Sequence, residues 1–230
     1  MKKLNVRIIG LGGIGSILSE KVCRFTEYLK DVQTEVTLVD GDSYEMKNAE
    51  RQEFLQLGNK ATVKERELSI KFGNIVINSV PCFVDGNTIS SIIKEDDIVL
   101  LGVDNHKTRK LVSKYCSELQ TVTLISGGNE YTDGNVQIYI RREGREITPD
   151  LCSFHPEIQN PLDKTPDELS CEELSKSEPQ LLFTNLGVAT IMCWAFYNVA
   201  IRENHEFSEV YFNILTMSSD SKVRTVKQRR

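Results

Sequence analysis

The sequence predicts an α/β fold: a Rossmann-like, doubly wound, mostly parallel sheet with antiparallel strands added in the C-terminal half. Three observations predict it. An apolar, β-branched run at 4–9 enters the glycine-rich turn Gly10-Leu11-Gly12-Gly13-Ile14-Gly15 and then a helical pattern. Strand-like and helix-like segments go on alternating to about residue 128, as right-handed crossovers require. After Gly128 the alternation stops and a strand with period-two patterning follows.

Each element has its own signal. Residues 4–9 read as a buried strand interrupted by Arg7, and 14–29 as a helix with Ile14, Ile17, Leu18, Val22 and Phe25 on one face. Residues 35–39 are a second strand ending at Asp40. Residues 42–54 are polar and irregular. Residues 59–72 are helical but so charged that a surface position is expected. Strands are expected at 75–80 and 97–101, the latter ending in Gly102-Val103-Asp104. A helix over 106–117 turns Leu111, Val112 and Tyr115 inward, and 121–125 is a fifth strand.

Residues 135–141 alternate as a strand with one wet face would, and Glu143-Gly144 breaks it. Residues 147–179 hold five of the six prolines and many acids without periodicity, which points to a functional or mobile loop. A long apolar helix over 181–201, carrying Trp194 and Phe196, serves as core or interface, and 209–215 is the last strand. The expected organisation is one domain over 1–230. Its halves are a nucleotide-binding part (1–128) and a C-terminal part (129–230) with the acidic loop 147–180, the helix and the final strand.

Composition excludes several classes. A net charge of -5 gives no pull toward nucleic acid or anionic membranes. The start shows no signal-peptide pattern, and no stretch is expected to approach the roughly 18 apolar residues of a membrane span. A cytoplasmic protein is expected. The six cysteines form no CxxC pair, so they read as reduced thiols. Lys222, Arg224, Lys227, Arg229 and Arg230 read as a solvated, frayed end.

The chemistry starts at the glycine turn. Gly10 permits the tight turn, Gly12 lets backbone approach a phosphate, and Gly15 allows close packing of the helix. The helix start attracts anions through unpaired N–H groups and its dipole. The motif alone does not separate NAD, FAD and ATP. Asp40 ends the second strand, where an acid can hold ribose hydroxyls; Asp42 shares that role or caps the next turn. Arg51 and Lys60 follow, and Asp104 ends the fourth strand. Two cations and a carboxylate at one sheet edge suit a nucleoside triphosphate with Mg²⁺. An NAD site has little use for them.

These residues carry a resemblance. Gly10, Gly12, Gly13 and Gly15, then Val39-Asp40-Gly41-Asp42, Asn48 with Arg51-Gln52, Gly58 with Lys60-Ala61, and Val103-Asp104-Asn105 with Arg109 resemble the adenylation domain of the E1-like, ubiquitin-activating superfamily (ThiF/MoeB/HesA). The resemblance covers residues 4–128 well and the rest loosely. It implies that the C-terminal carboxylate of a ubiquitin-like or sulfur-carrier β-grasp protein attacks the α-phosphate of ATP. The products are an acyl-adenylate and pyrophosphate. By matched position Asp40 holds the ribose, Arg51 and Lys60 contact phosphates, and Asp104 binds Mg²⁺. Asn48, Gln52 and Asn105 shape the nucleotide pocket, and relatives are usually dimers.

Three departures qualify the resemblance. Many relatives have, before the first strand, a helical segment with an arginine that reaches the partner subunit's ATP. Here that strand begins almost at Met1, so another cation takes its place or turnover is weak. Many hold zinc with two CxxC pairs; Cys152, His155 and Cys171 leave one of four ligands missing, which argues against a structural zinc. Some pass the activated carboxyl to a cysteine. Cys171 is the candidate, in a segment (Ser170-Cys171, Gln180, Asn185) like that of some bacterial ThiF-like proteins, although Glu172 and Glu173 work against a reactive thiolate. Cys152 ranks second, and Cys23, Cys116 and Cys193 read as core. The alternatives are an E1-like non-catalytic, partner-binding subunit, an NAD- or FAD-binding oxidoreductase, and an enzyme modifying a short peptide or small carboxylate.

Overall fold

Residues 2–163 and 181–226 are described by a computed structural model. The first strand, β1 (Lys2–Ile9), lies inside a sheet, paired in parallel with a strand on each side. Leu4, Val6 and Ile8 enter one core cluster and Ile9 the other. The remaining strands are β2 (Val32–Val39), β3 (Ser43–Tyr44), β4 (Gly58–Asn59), β5 (Val76–Val80), β6 (Ile98–Leu101), β7 (Val122–Asn129), β8 (Asp133–Arg142), β9 (Arg145–Glu146), β10 (Glu209–Asn213) and β11 (Ser218–Lys222). The helices are α1 (Gly13–Glu27), α2 (Lys60–Lys71), α3 (Ile89–Ile92), α4 (His106–Glu118), α5 (Pro156–Gln159) and α6 (Leu182–Ala200).

One sheet runs in the order β11-β10-β8-β7-β6-β1-β2-β5, with β9 added on β8. From β7 to β5 the pairs are parallel; β8, β9, β10 and β11 are antiparallel additions. The expected Rossmann-like class is what the chain forms. Side chains of α1, α2 and α6 join the core on one face. Those of α3, α4 and α5 join the core on the other. Arg7, the charge that interrupts β1, is met by Asp97 at 2.9 Å and Glu35 at 3.1 Å.

The structure corrects four expectations. β8 has no wet face: Val136, Ile138 and Ile140 pack in one cluster, while Gln137 and Tyr139 are buried on the other side. The reason is position, since β7 and β10 flank β8. The strand at 209–213 is not the last, because the wholly exposed segment Ser-Ser-Asp-Ser-Lys forms β11 on its edge. Lys222 therefore ends a strand, and Arg224 Nε bonds Glu209 Oε2 at 2.8 Å, so the chain is not frayed there. Finally, 182–201 is long and apolar enough to cross a membrane by length and composition. Half of that window is buried in the fold, with Val188, Met192 and Phe196 in the core, as a core helix requires.

A buried carboxylate ties the antiparallel half together. Glu209 takes hydrogen bonds at 2.9 Å from His155, 2.8 Å from Arg224 and 3.0 Å from Tyr211. Burial pushes its pKa up, but the bonds from Arg224, His155 and Tyr211 outweigh that and hold it below its ordinary value of 4.5. A carboxylate depressed in this way stabilises the fold fully above the unfolded pKa, and the contribution fades as acid protonates it. The neutral variant Glu209→Gln should therefore be less stable near neutrality, by roughly 1–3 kcal/mol. The gap should close as pH falls below 4.5. Melting curves of both proteins across that range check this; a gap that does not change with pH would refute the role of the charge.

Candidate functional site

The chain winds in opposite senses after β1 and β6. α1 leaves β1 toward one face, α4 leaves β6 toward the other, and β1 pairs with β6. In open α/β sheets ligands bind in the crevice outside the carboxyl ends of such strands.

The glycine turn forms one wall. Gly10 has φ +85°, which only glycine adopts readily, and a Cβ on it would lie 2.9 Å from Gly102 O. Its N–H reaches Val39 O at 2.9 Å. A Cβ on Gly15 would fall 1.8 Å from Gly10 O, so α1 starts directly against the turn. A Cβ on Gly12 would meet nothing within 4 Å, so that side is open. The start of α1 has no side-chain cap and no acid in its first turn. Its leading N–H groups are thus available to an anion.

Asp40 braces this wall. Its Oδ2 accepts from Leu11 N–H at 2.6 Å and its Oδ1 from Asp42 N–H at 2.8 Å. Each oxygen keeps a further lone pair. Burial pushes its carboxyl above the usual range against the pull of Lys60 and the two N–H groups. Asn59, which the sequence reading passed over, caps α2 through Thr62 N–H and bonds Asp40 O at 2.9 Å and Asp42 O at 3.1 Å. An asparagine just before a helical pattern is a cap signal; that it also clamps the Asp40 loop was not readable.

Lys60 opens α2, buried, with its ammonium on the carboxylate of Asp42. The expectation that α2 lies on the surface is corrected. Lys60, Lys64 and Glu67 are all buried. Lys64 Nζ bonds Glu67 Oε2 at 2.8 Å and Glu53 O at 2.7 Å, while Glu67 Oε1 accepts from Leu55 N–H at 2.6 Å. Buried charges paired in this way anchor the 45–57 loop to α2.

That loop carries Asn48, Arg51 and Gln52. Asn48 Oδ1 accepts from Glu45 N–H at 2.8 Å and shapes the turn at 46–48. Arg51 Nη1 stands 3.3 Å from Glu50, and Arg51 Nε and Gln52 Oε1 are buried with no hydrogen-bond partner among the described residues. Buried polar atoms left unpaired call for a missing partner.

On the opposite wall Asp104 follows β6, exposed and without a hydrogen bond or ion pair among the described residues. Asn105 caps α4, its Oδ1 accepting from Thr108 N–H at 2.8 Å. Arg109 is buried and joins the ends of two strands through Val103 O at 2.8 Å and Gly127 O at 2.9 Å.

The described residues hold no group of three or more His, Cys, Asp and Glu placed to bind a metal. His155 is engaged by Glu157 at 3.0 Å and Glu209 at 2.9 Å. Cys171 lies outside the described residues. The other five thiols are all raised by burial, Cys23 to about 12 and Cys193 to about 11. Cys82, Cys116 and Cys152 shift the same way. None of these is an activated nucleophile.

A model of the ThiF family matches residues 1–230. The chain is similar in structure to E. coli MccB solved with MccA-N7isoASN, at TM-score 0.72 and 18% identity, covering 96% of this chain and 64% of that one. It is similar to E. coli MccB solved with ATP, at TM-score 0.70 and 18% identity, covering 96% and 63%. It is similar to PaaA, at TM-score 0.70 and 14% identity, covering 96% and 64%. The chain thus spans a little under two thirds of these proteins' length. Likeness at such identities is a likeness of fold. No curated protein matches the sequence.

The turn geometry separates two glycines that a motif treats alike. Gly15→Ala drives a Cβ into Gly10 O and should cost about 3 kcal/mol or more. Gly12→Ala faces open space and should stay within about 0.5 kcal/mol of wild type. Urea unfolding measures both; equal losses would show that α1 does not abut the turn as described.

Proposed function

The chain belongs to the ThiF family, and from that premise we propose that it is an ATP-dependent, E1-like adenylyltransferase acting on a carboxylate of a protein or peptide. One observation carries the reading. The uncapped start of α1, the Asp40 brace, the Lys60–Asp42 pair and the unpaired Asp104 gather at the carboxyl edge of a single sheet.

The roles proposed are those the resemblance implies by matched position, and the geometry supports them. The open side of Gly12 and the leading N–H groups of α1 receive phosphates. Asp40 uses its remaining lone pairs on the ribose, with Asp42 beside it. Lys60 exchanges its pairing with Asp42 for a phosphate, and Arg51 supplies the second cation. Gln52, Asn48 and Asn105 shape the pocket around the nucleotide. Asp104 fits Mg²⁺, because that ion is commonly held by one or two carboxylates together with substrate phosphates. The ion would supply charge neutralisation at the phosphates.

A carboxylate and a triphosphate repel each other. Holding both in line and offsetting their charge is therefore most of the catalysis. The carboxylate oxygen bonds the α-phosphorus, pyrophosphate leaves with the electron pair, and an acyl-adenylate results. We propose the C-terminal carboxylate of a ubiquitin-like or sulfur-carrier β-grasp protein as the substrate. The likeness to MccB solved with MccA supports a second reading, a peptide carboxylate. If the carboxyl passes on to a thiol, Cys171 is the candidate, since the described thiols are all held in their unreactive form by burial.

We also propose a homodimer. Phe183, Leu186, Trp194 and Tyr197 recur along α6 at helical spacing and are exposed, with Tyr28, just past the end of α1, exposed as well. A second copy would cover that apolar row.

ATP–pyrophosphate exchange tests the reaction, run with a Gly-Gly-terminated β-grasp protein and with a short peptide in parallel. Exchange with either is expected, and none with both would sink the proposal. Asp104→Ala and Lys60→Ala should each lower exchange by about 10²-fold or more. A partner-binding subunit would show no exchange in wild type, and an NAD-binding oxidoreductase would be indifferent to Arg51→Ala. A thiol-sensitive acyl adduct that persists in Cys171→Ser would remove Cys171 from the scheme. Trp194→Glu should convert a dimer to a monomer by light scattering; a wild-type monomer overturns the homodimer.

A further inference from the structure

Asn185 sits in the first turn of α6 and is completely buried. Its backbone N–H bonds Leu181 O at 3.1 Å. Its side-chain amide is another matter: neither Nδ2 nor Oδ1 has a hydrogen-bond partner among the described residues. Buried amides are almost always bonded, and an apolar side chain of the same shape would fill this space without the loss.

The amide rests against Gly13, the first residue of α1. A Cβ on Gly13 would lie 2.2 Å from Asn185 Nδ2 and 2.7 Å from its Cγ. The glycine fingerprint explains Gly10, Gly12 and Gly15. It does not explain Gly13, which lacks a side chain because Asn185 takes the space. The amide therefore sits directly against the first residue of α1, at the phosphate turn. The side over Gly12 is open, and no side chain caps the helix start.

We infer that Asn185 is a positioning residue of the nucleotide site. Its amide, set against Gly13, gains its hydrogen bonds from a phosphate-bound water when a nucleotide occupies the turn. An amide donates and accepts, so it can hold such a water in either orientation. The inference rests on the reading that this site binds ATP.

Titration calorimetry with ATP and with adenosine tests it in wild type, Asn185→Leu and Asn185→Asp. The Leu variant should bind ATP about tenfold more weakly and adenosine, which has no phosphates, as wild type does. The Asp variant places a carboxylate of the same size beside the phosphates and should lose more ATP affinity than the Leu variant. It also carries the comparison if the Leu variant does not fold. Unchanged ATP affinity in the variants, or equal losses for ATP and adenosine, overturns the role of Asn185. Wild type that binds no ATP overturns the nucleotide reading itself, and this inference with it.

Discussion

The contact between Gly15 and the carbonyl oxygen of Gly10 governs the carboxyl edge of this sheet. A helix can begin directly against a strand-end turn only where both residues lack side chains. Because α1 starts there, its uncapped N–H groups lie at the carboxyl end of β1. Because the turn is so tight, Leu11 N–H points back at the end of β2 and finds the Asp40 carboxylate. Asp40 then fixes Asp42, and Asp42 holds Lys60 at the start of α2. The series of polar residues is thus one mechanical unit fastened to one backbone contact. Binding of phosphate, ribose and cation would act on a surface already in register.

Charge is organised here by burial as much as by exposure. The Lys64–Glu67 pair lies inside and binds the 45–57 loop at Glu53 O and Leu55 N–H. A buried pair of this kind adds little net stability against an apolar alternative. What it does provide is a fixed loop position, and that loop carries Arg51 and Gln52. The unpaired Arg51 Nε and Gln52 Oε1 are the complement of this arrangement. A rigidly held loop can keep polar atoms unpaired until a ligand completes them.

Legibility in the sequence followed the range of the interactions. Gly10, Gly12, Gly15 and Asp40 were readable because a turn, a helix start and a strand end are local features with local signals. The parallel order of the sheet was readable from the alternation that crossovers impose. The burial of α2 was not, because Lys64 and Glu67 are interior only through partners 11 and 12 residues away. β8 looked half-wet because Gln137 is polar, yet its burial depends on β10, which arrives more than sixty residues later. β11 has no apolar residue and could be found only through its partner.

Arg109 shows how the same residue can be legible in place and illegible in use. In the sequence it stands among the residues that carry the resemblance, with Val103-Asp104-Asn105. Its guanidinium instead bonds Val103 O and Gly127 O, and burial lowers its pKa against the field of Asp104, Asp163 and Glu157. A cation held by carbonyls, close to but not paired with Asp104, leaves that carboxylate free to take a ligand of its own. It also ties the segment after β6 to β7, through Val103 O at 2.8 Å and Gly127 O at 2.9 Å. The wall opposite the glycine turn is thus braced by a buried side chain, as the turn is braced by Asp40. A crevice braced on both walls would favour a substrate brought to it in one orientation, which is what the proposed reaction between two anions demands.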